Sequence, residues 1–185
     1  AVNLGKIIAE SGTVGIYGGL IHQSGTISAD SAVVGKNGKV FLKATKDVTL
    51  DEKSAISAQG GDIRIYGGRE DGTVKVAGTL DASAPTSGNG GFIETSAASV
   101  KIEDSAKVTT LAPHGKTGTW LVDPTNFNIE AGSGAPTTSG IGADTLADNL
   151  VTTGFTVETD ASGTEAGDIN VNADVTWSTH PLSLQ

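Results

Sequence analysis

Apolar and polar positions alternate along this chain in short bursts, and the bursts themselves recur. One phrase reads Gly-x-apolar-x-apolar: "GTVGIYGG" from Gly12, "GKVFLKA" from Gly38, "GDIRIYGG" from Gly61. "GGFIETSA" from Gly90 and "GTWLVDP" from Gly118 are further copies, which sets the starting glycines 26, 23, 29 and 28 residues apart. A second phrase runs between them: "GTISADS" from Gly25, "SAISAQG" from Ser54, "GTLDASA" from Gly78 and "AKVTTLA" from Ala106. A third follows the same beat at 47–50, 73–76 and 99–102, "DVTL", "TVKV" and "SVKI". A period of two within each burst marks strands with one face buried. Repetition at a fixed longer period marks a stack, since one coil cannot bury its apolar face alone. The pattern predicts an all-β parallel β-helix, three short strands per coil, in coils of roughly 23–29 residues.

The alternation also predicts which side chains point inward. Val14 and Ile16, and Ile63 and Ile65, fill the core in their copies. The same offset counted from Gly90 would bury Glu94, so the reading there puts Ile93 and Thr95 inside and Phe92 and Glu94 outside; a slip of one residue exchanges the faces. "GTWLVD" allows Trp120 and Val122 inside, or Leu121. After about residue 130 the repeat breaks. "AGSGAPTTSG" is loop text, and "GADTLADNLVTT" places Leu146, Leu150 and Val151 on one helical face, with Asp144 as N-cap. The expected layout is regular coils over 1–130, then an acidic stretch over 131–185 holding a short helix-bearing insertion near 144–151 and further strands of the same domain.

Composition agrees with a turn-rich β protein. Of 185 residues 26 are Gly, aromatics make up 4%, and there is no Cys, hence no disulfide or thiolate chemistry. Charge is unevenly placed. All 12 Lys and Arg lie in residues 1–116, whereas the net charge of −9 comes entirely from residues 117–185. Such a surface repels phosphate backbones and argues against nucleic-acid binding, while it could attract Ca²⁺ or a basic partner. No window reaches the length of a membrane span. The chain opens and closes on strand-like text and carries no leader pattern, so it is read as a segment of a longer protein.

Candidate chemistry is sparse. Carbohydrate-active enzymes need carboxylates converging on one groove, often with a basic residue or a cation. Arg69, Glu70 and Asp71 form one cluster at an Asp-Gly turn. Asp47, Asp51 and Glu52 form another, and Glu103 and Asp104 a third; each reads first as a solvated corner. His22, His114 and His180 lie far apart and make no metal motif. His114, Trp120 and Asp123 suggest a sugar-binding patch, but the repeat makes Trp120 or Leu121 a core position, with Asp123-Pro124 ending its strand. Thr13, Thr26, Thr79 and Thr119 each follow a Gly, but they fall on different strands and form no crystal-binding ladder. No catalytic, cofactor-binding or metal-ligating residue is assigned.

The succession "SGNGGFIETSAASVKI", "GKTGTWLVDPTNFNIEAG", "IGADTLADNL" and "GDINVNADVTWS" resembles large exoproteins of the filamentous-haemagglutinin type, secreted by two-partner systems, including the high-molecular-weight adhesins. The likeness covers about the last 100 residues; the first 85 match as generic coils. It implies a right-handed parallel β-helix, export through an outer-membrane secretion partner, and a location outside the bacterium or on its surface. It further implies a non-catalytic part in attachment, aggregation or biofilm, as a monomeric segment meeting a host-cell, glycan or matrix ligand, without cofactor. The secretion domain of that family is not evident here. None of the asparagines Asn3, Asn37, Asn89, Asn126, Asn128, Asn149, Asn170 and Asn172 has Ser or Thr two places on, so the glycosylation known in some relatives is not expected. The alternative from the same fold is a carbohydrate-active enzyme, a polysaccharide lyase or hydrolase.

Overall fold

The computed structural model describes residues 1–33, 35, 37–159 and 166–185, so Lys36 and the acidic Asp160 and Glu165 lie outside the described residues. The chain is a parallel β-helix. Its first coil runs through β1 (Val2–Asn3), β2 (Lys6–Ile8) and β3 (Thr13–Gly18), and its second through β4 (Ile21–Gln23), β5 (Thr26–Ser28) and β6 (Lys39–Ala44). The third holds β7 (Val48–Leu50), β8 (Ala55–Ser57) and β9 (Asp62–Tyr66); the fourth β10 (Thr73–Val76), β11 (Thr79–Asp81) and β12 (Phe92–Ser96); the fifth β13 (Ser99–Ile102), β14 (Lys107–Thr109) and β15 (Thr119–Asp123). Each strand pairs in parallel with its counterparts one coil away, which makes three walls: A through β1, β4, β7, β10 and β13, B through β2, β5, β8, β11 and β14, and C through β3, β6, β9, β12 and β15.

Side chains at one register position stack along the axis. On wall C the inward column is Val14, Val40, Ile63, Ile93, Trp120, and the column beside it is Ile16, Leu42, Ile65, Thr95, Val122. Apart from Val14 and Ile16 in the end coil, these are essentially shut off from solvent. Burying each large aliphatic contributes about 1.5–3 kcal/mol, which is how the walls are held together without cross-links. The predicted inward sets are found, including Ile93 with Thr95, and of the two phases open at 118–123 the structure takes the one with Trp120 and Val122 inside.

The apparent slip at "GGFIETS" disappears in the register. Phe92 pairs with Asp62 and Thr119, so Gly91, not Gly90, is the stacking glycine. Gly38, Gly61, Gly91 and Gly118 form a column in which an added Cβ would lie 1.8–2.0 Å from a carbonyl oxygen of the preceding coil or corner. The coils approach so closely because Phe92 N donates to Gly61 O at 2.9 Å and Asp62 N to Gly38 O at 3.2 Å. Close contact between coils, not positive φ, is what demands glycine there. The first coil also begins earlier than the phrase counted from Gly12: Lys6–Ile8 already stacks on Thr26–Ser28.

The sixth coil departs from the rule. After Pro124 the chain forms β16 (Phe127–Glu130), returns through 131–139, and lays down β17 (Gly140–Gly142) between β13 and β16. Helix α1 (Ala143–Asn149) then packs against β14 where wall B would place its next strand, and β18 (Gly154–Val157) rejoins wall C on β15. β19 (Ile169–Val171) follows on β16 and β20 (Leu182–Leu184) on β18.

The helix differs from its expectation in three respects. It starts one residue earlier, and its N-cap is Gly142, not Asp144, which sits exposed in the first turn. No side chain caps it; Asp144 N donates to Gly132 O at 2.9 Å, so the loop already meets that need. Leu146 and Leu150 are buried as expected, but Val151 is 55% exposed because the helix has ended at the Leu150 C-cap. Sheet B is terminated by a side chain. Asn149 Oδ1 accepts from Val108 N at 2.8 Å and its Nδ2 donates to Ala106 O at 3.1 Å, as a neighbouring peptide group would.

Candidate functional site

Trp120 is fully buried. Its ring meets Phe155 edge-on at 5.0 Å and its Nε1 donates to Thr95 Oγ1 at 3.1 Å. His114 is exposed at a separate corner, and Asp123 is held by Arg69, whose Nη2 lies 3.0 Å from Asp123 Oδ2. The three residues of the suggested sugar-binding patch therefore do not converge. Arg69 leaves its sequence neighbours Glu70 and Asp71 for this contact, while Asp71 pairs with Lys46.

Of the other candidate carboxylates, Asp51, Glu52, Glu103 and Asp104 line one open cleft with Lys75, and Asp47, Asp51 and Glu103 act as ties between coils. Lys75 Nζ lies 2.9 Å from Glu103 Oε1, and His22 Nε2 lies 2.6 Å from Asp51 Oδ2, which also accepts from Ser24 Oγ. Asp47 Oδ1 accepts from Thr73 N at 2.8 Å. The bonds from Ser24 and His22 hold the Asp51 carboxyl below its ordinary value, the direction opposite to that of a general acid. His22 belongs to this cluster, while His114 and His180 lie elsewhere. Among the described residues no group of three or more His, Cys, Asp and Glu could hold a metal ion, and no helix is long and apolar enough to cross a membrane.

The outward face of wall C is chemically distinct. Counting outward side chains along its central row gives Gly15, Phe41, Arg64, Glu94 and Leu121; the rows beside it hold Tyr17, Lys43 and Tyr66 on one side and Lys39, Asp62 and Phe92 on the other. Both tyrosines of the chain and two of its four phenylalanines stand on this one face. A Cβ at Gly15 would lie 2.9 Å from Tyr17 Cε2, so the Tyr17 ring lies across Gly15 and occupies the central row. The Arg64 guanidinium stacks over Phe92 with Cζ 5.1 Å from the ring centroid, a cation–π contact. Tyr17, Phe41 and Arg64 thus offer three planar groups on successive coils, whose strands lie about 4.8 Å apart.

A polar network fixes the lower half of this strip. Glu94 Oε2 accepts from Arg64 Nη1 at 3.1 Å and from the Tyr66 hydroxyl at 2.9 Å, and Glu94 Oε1 accepts from Ser96 Oγ at 3.1 Å. Burial pushes the Tyr66 phenol above its ordinary value, with the Glu94 bond acting the same way, so it stays a donor at neutral pH. Lys39 lies 3.7 Å from Asp62. Lys43 is exposed and makes no ion pair with the described residues. The alternation in the sequence placed Phe92 and Glu94 outside, but nothing local joined them to Tyr17 and Phe41; the signal lay in the register, which aligns outward positions of the Gly-x-apolar-x-apolar phrase. Comparison with known protein families, curated proteins and solved structures gave no significant match for this chain.

Proposed function

We propose that this chain is a structural and adhesive segment of a secreted bacterial surface exoprotein, serving attachment, aggregation or biofilm without catalysis. One observation carries the reading: five charge pairs of the regular coils serve as ties between coils. Lys39–Asp62, Arg64–Glu94, Lys75–Glu103, Lys46–Asp71 and His22–Asp51 each join one coil to the next. Carboxylates used in this way reinforce a rod and leave its walls free for contact. The likeness of residues 87–130 and the stretches after it to filamentous-haemagglutinin-type exoproteins supports the same reading, with an outer-membrane secretion partner for the longer protein.

The test is attachment of the purified 185-residue chain to epithelial and bacterial cells, run beside assays for degradation of neutral and acidic polysaccharides. Saturable attachment without release of sugar fragments is the expected result. Turnover lost on replacing Glu103 or Asp51 would establish the carbohydrate-active alternative instead.

A further inference from the structure

We propose that the outward face of wall C is a binding strip for a polyuronate, a glycan chain with one carboxylate per sugar, lying along the axis of the coils. The inference rests on the adhesive reading and names a ligand class for it. Sugar rings present flat C–H faces that pack on aromatic planes, and their hydroxyls need donors and acceptors at the edge. The strip supplies both: the Tyr17 ring across Gly15 and the Phe41 ring on the next coil, then Arg64 with Tyr66 and Glu94. Tyr17 is 69% exposed in a chain with few aromatics, a large apolar side chain kept in water.

Charge selects among glycans. Tyr17, Lys43 and Tyr66 follow one another in register, so Lys43 stands in the row between the two tyrosines, without an ion pair among the described residues. Around it Lys39 is matched by Asp62 and Arg64 by Glu94. One spare cation on this face of a chain of net charge −9 favours a polymer with one carboxylate per sugar over one with several charges per sugar. A heavily sulfated chain is therefore the wrong occupant. The spacing of one planar group per coil favours a polymer along the axis over a single sugar.

The experiment titrates the 185-residue chain with polygalacturonate, with its methyl ester, which removes only the charge, and with heparin. Polygalacturonate is expected to bind most tightly. Tyr17→Ala and Phe41→Ala should each weaken it about tenfold, and Phe41→Leu, which keeps the bulk but not the plane, should weaken it nearly as much at unchanged unfolding midpoint. Lys43→Gln should weaken polygalacturonate several-fold and leave the ester unaffected. Lys107→Gln, on wall B, should change nothing. Equal binding of acid and ester, tighter binding of heparin, or indifference to the Tyr17 and Phe41 substitutions overturns the proposal. Cell attachment that persists with no polyuronate binding overturns the strip and leaves the adhesive reading standing. Polyuronate that binds at the strip and is cleaved supports the strip and overturns the non-catalytic reading.

Discussion

Thr95 is the one polar residue in a column otherwise made of Ile16, Leu42, Ile65, Val122 and Val157, and its neighbour explains it. Trp120 buries an N–H that must find an acceptor, and Thr95 Oγ1 is that acceptor. Thr95→Val keeps the shape and orphans the indole, so it should cost about 1–3 kcal/mol in denaturant unfolding. Asp51 gives a pH effect of known sign. Its carboxyl is held low in the folded state, so its stabilising contribution is present above the ordinary carboxylate range and is lost as pH falls through the depressed folded value. Unfolding midpoints measured from neutral pH downward should show a steeper acid loss for the parent chain than for Asp51→Asn. At this scale much was legible beforehand: the period of two put Ile93 inside and Glu94 outside, and left Trp120 or Leu121 as the core position of its strand. The bond from Trp120 to Thr95 was not, because it joins residues a coil apart whose phase depends on choosing Gly91 over Gly90.

The strands are too short to stand alone, and what spaces them is glycine. A methyl group on Gly61 would lie 2.0 Å from Gly38 O, whereas one on Gly134 would meet nothing within 4 Å. Gly61→Ala should therefore cost about 3 kcal/mol or more by forcing coils apart, and Gly134→Ala less than about 0.5 kcal/mol, both read by chemical unfolding. Helix α1 works as an element through Asn149. Asn149→Ala leaves Val108 N–H and Ala106 C=O buried without their partner and should cost about 1–3 kcal/mol for each. Circular dichroism melts of the variant against the parent would measure it. The helix itself was readable from Leu146 and Leu150, but its work was not: nothing in "LADNL" says that an amide will stand in for a strand. β17 was hidden for a similar reason, since "GIG" has no alternation to read and takes its place only by fitting between β13 and β16.

At the scale of the molecule, stability is close to a sum over coils and their interfaces, so the ends should open first. Amide hydrogen exchange should be fastest in β1, β2, β19 and β20 and slowest in β8, β9, β11 and β12. Equal protection along the axis would mean that the coils unfold as one unit. The ladder pairs residues a full coil apart, so folding is expected on the slow side, milliseconds to seconds. The solenoid was legible as a whole because the same register repeats through five coils. The binding strip was not, since Tyr17, Phe41 and Arg64 become neighbours only after the coils are stacked.

The sixth coil gives the rod a direction. On wall A two strands, β17 and β16, lie between β13 and β19, while on wall C only β18 lies between β15 and β20. Wall A therefore gains one more layer of about 4.8 Å over the same stretch. On wall B a helix about 10 Å across stands where strands of half that spacing would lie. The sixth coil is therefore thicker on walls A and B than on wall C, so the next coil cannot repeat the spacing of the first five.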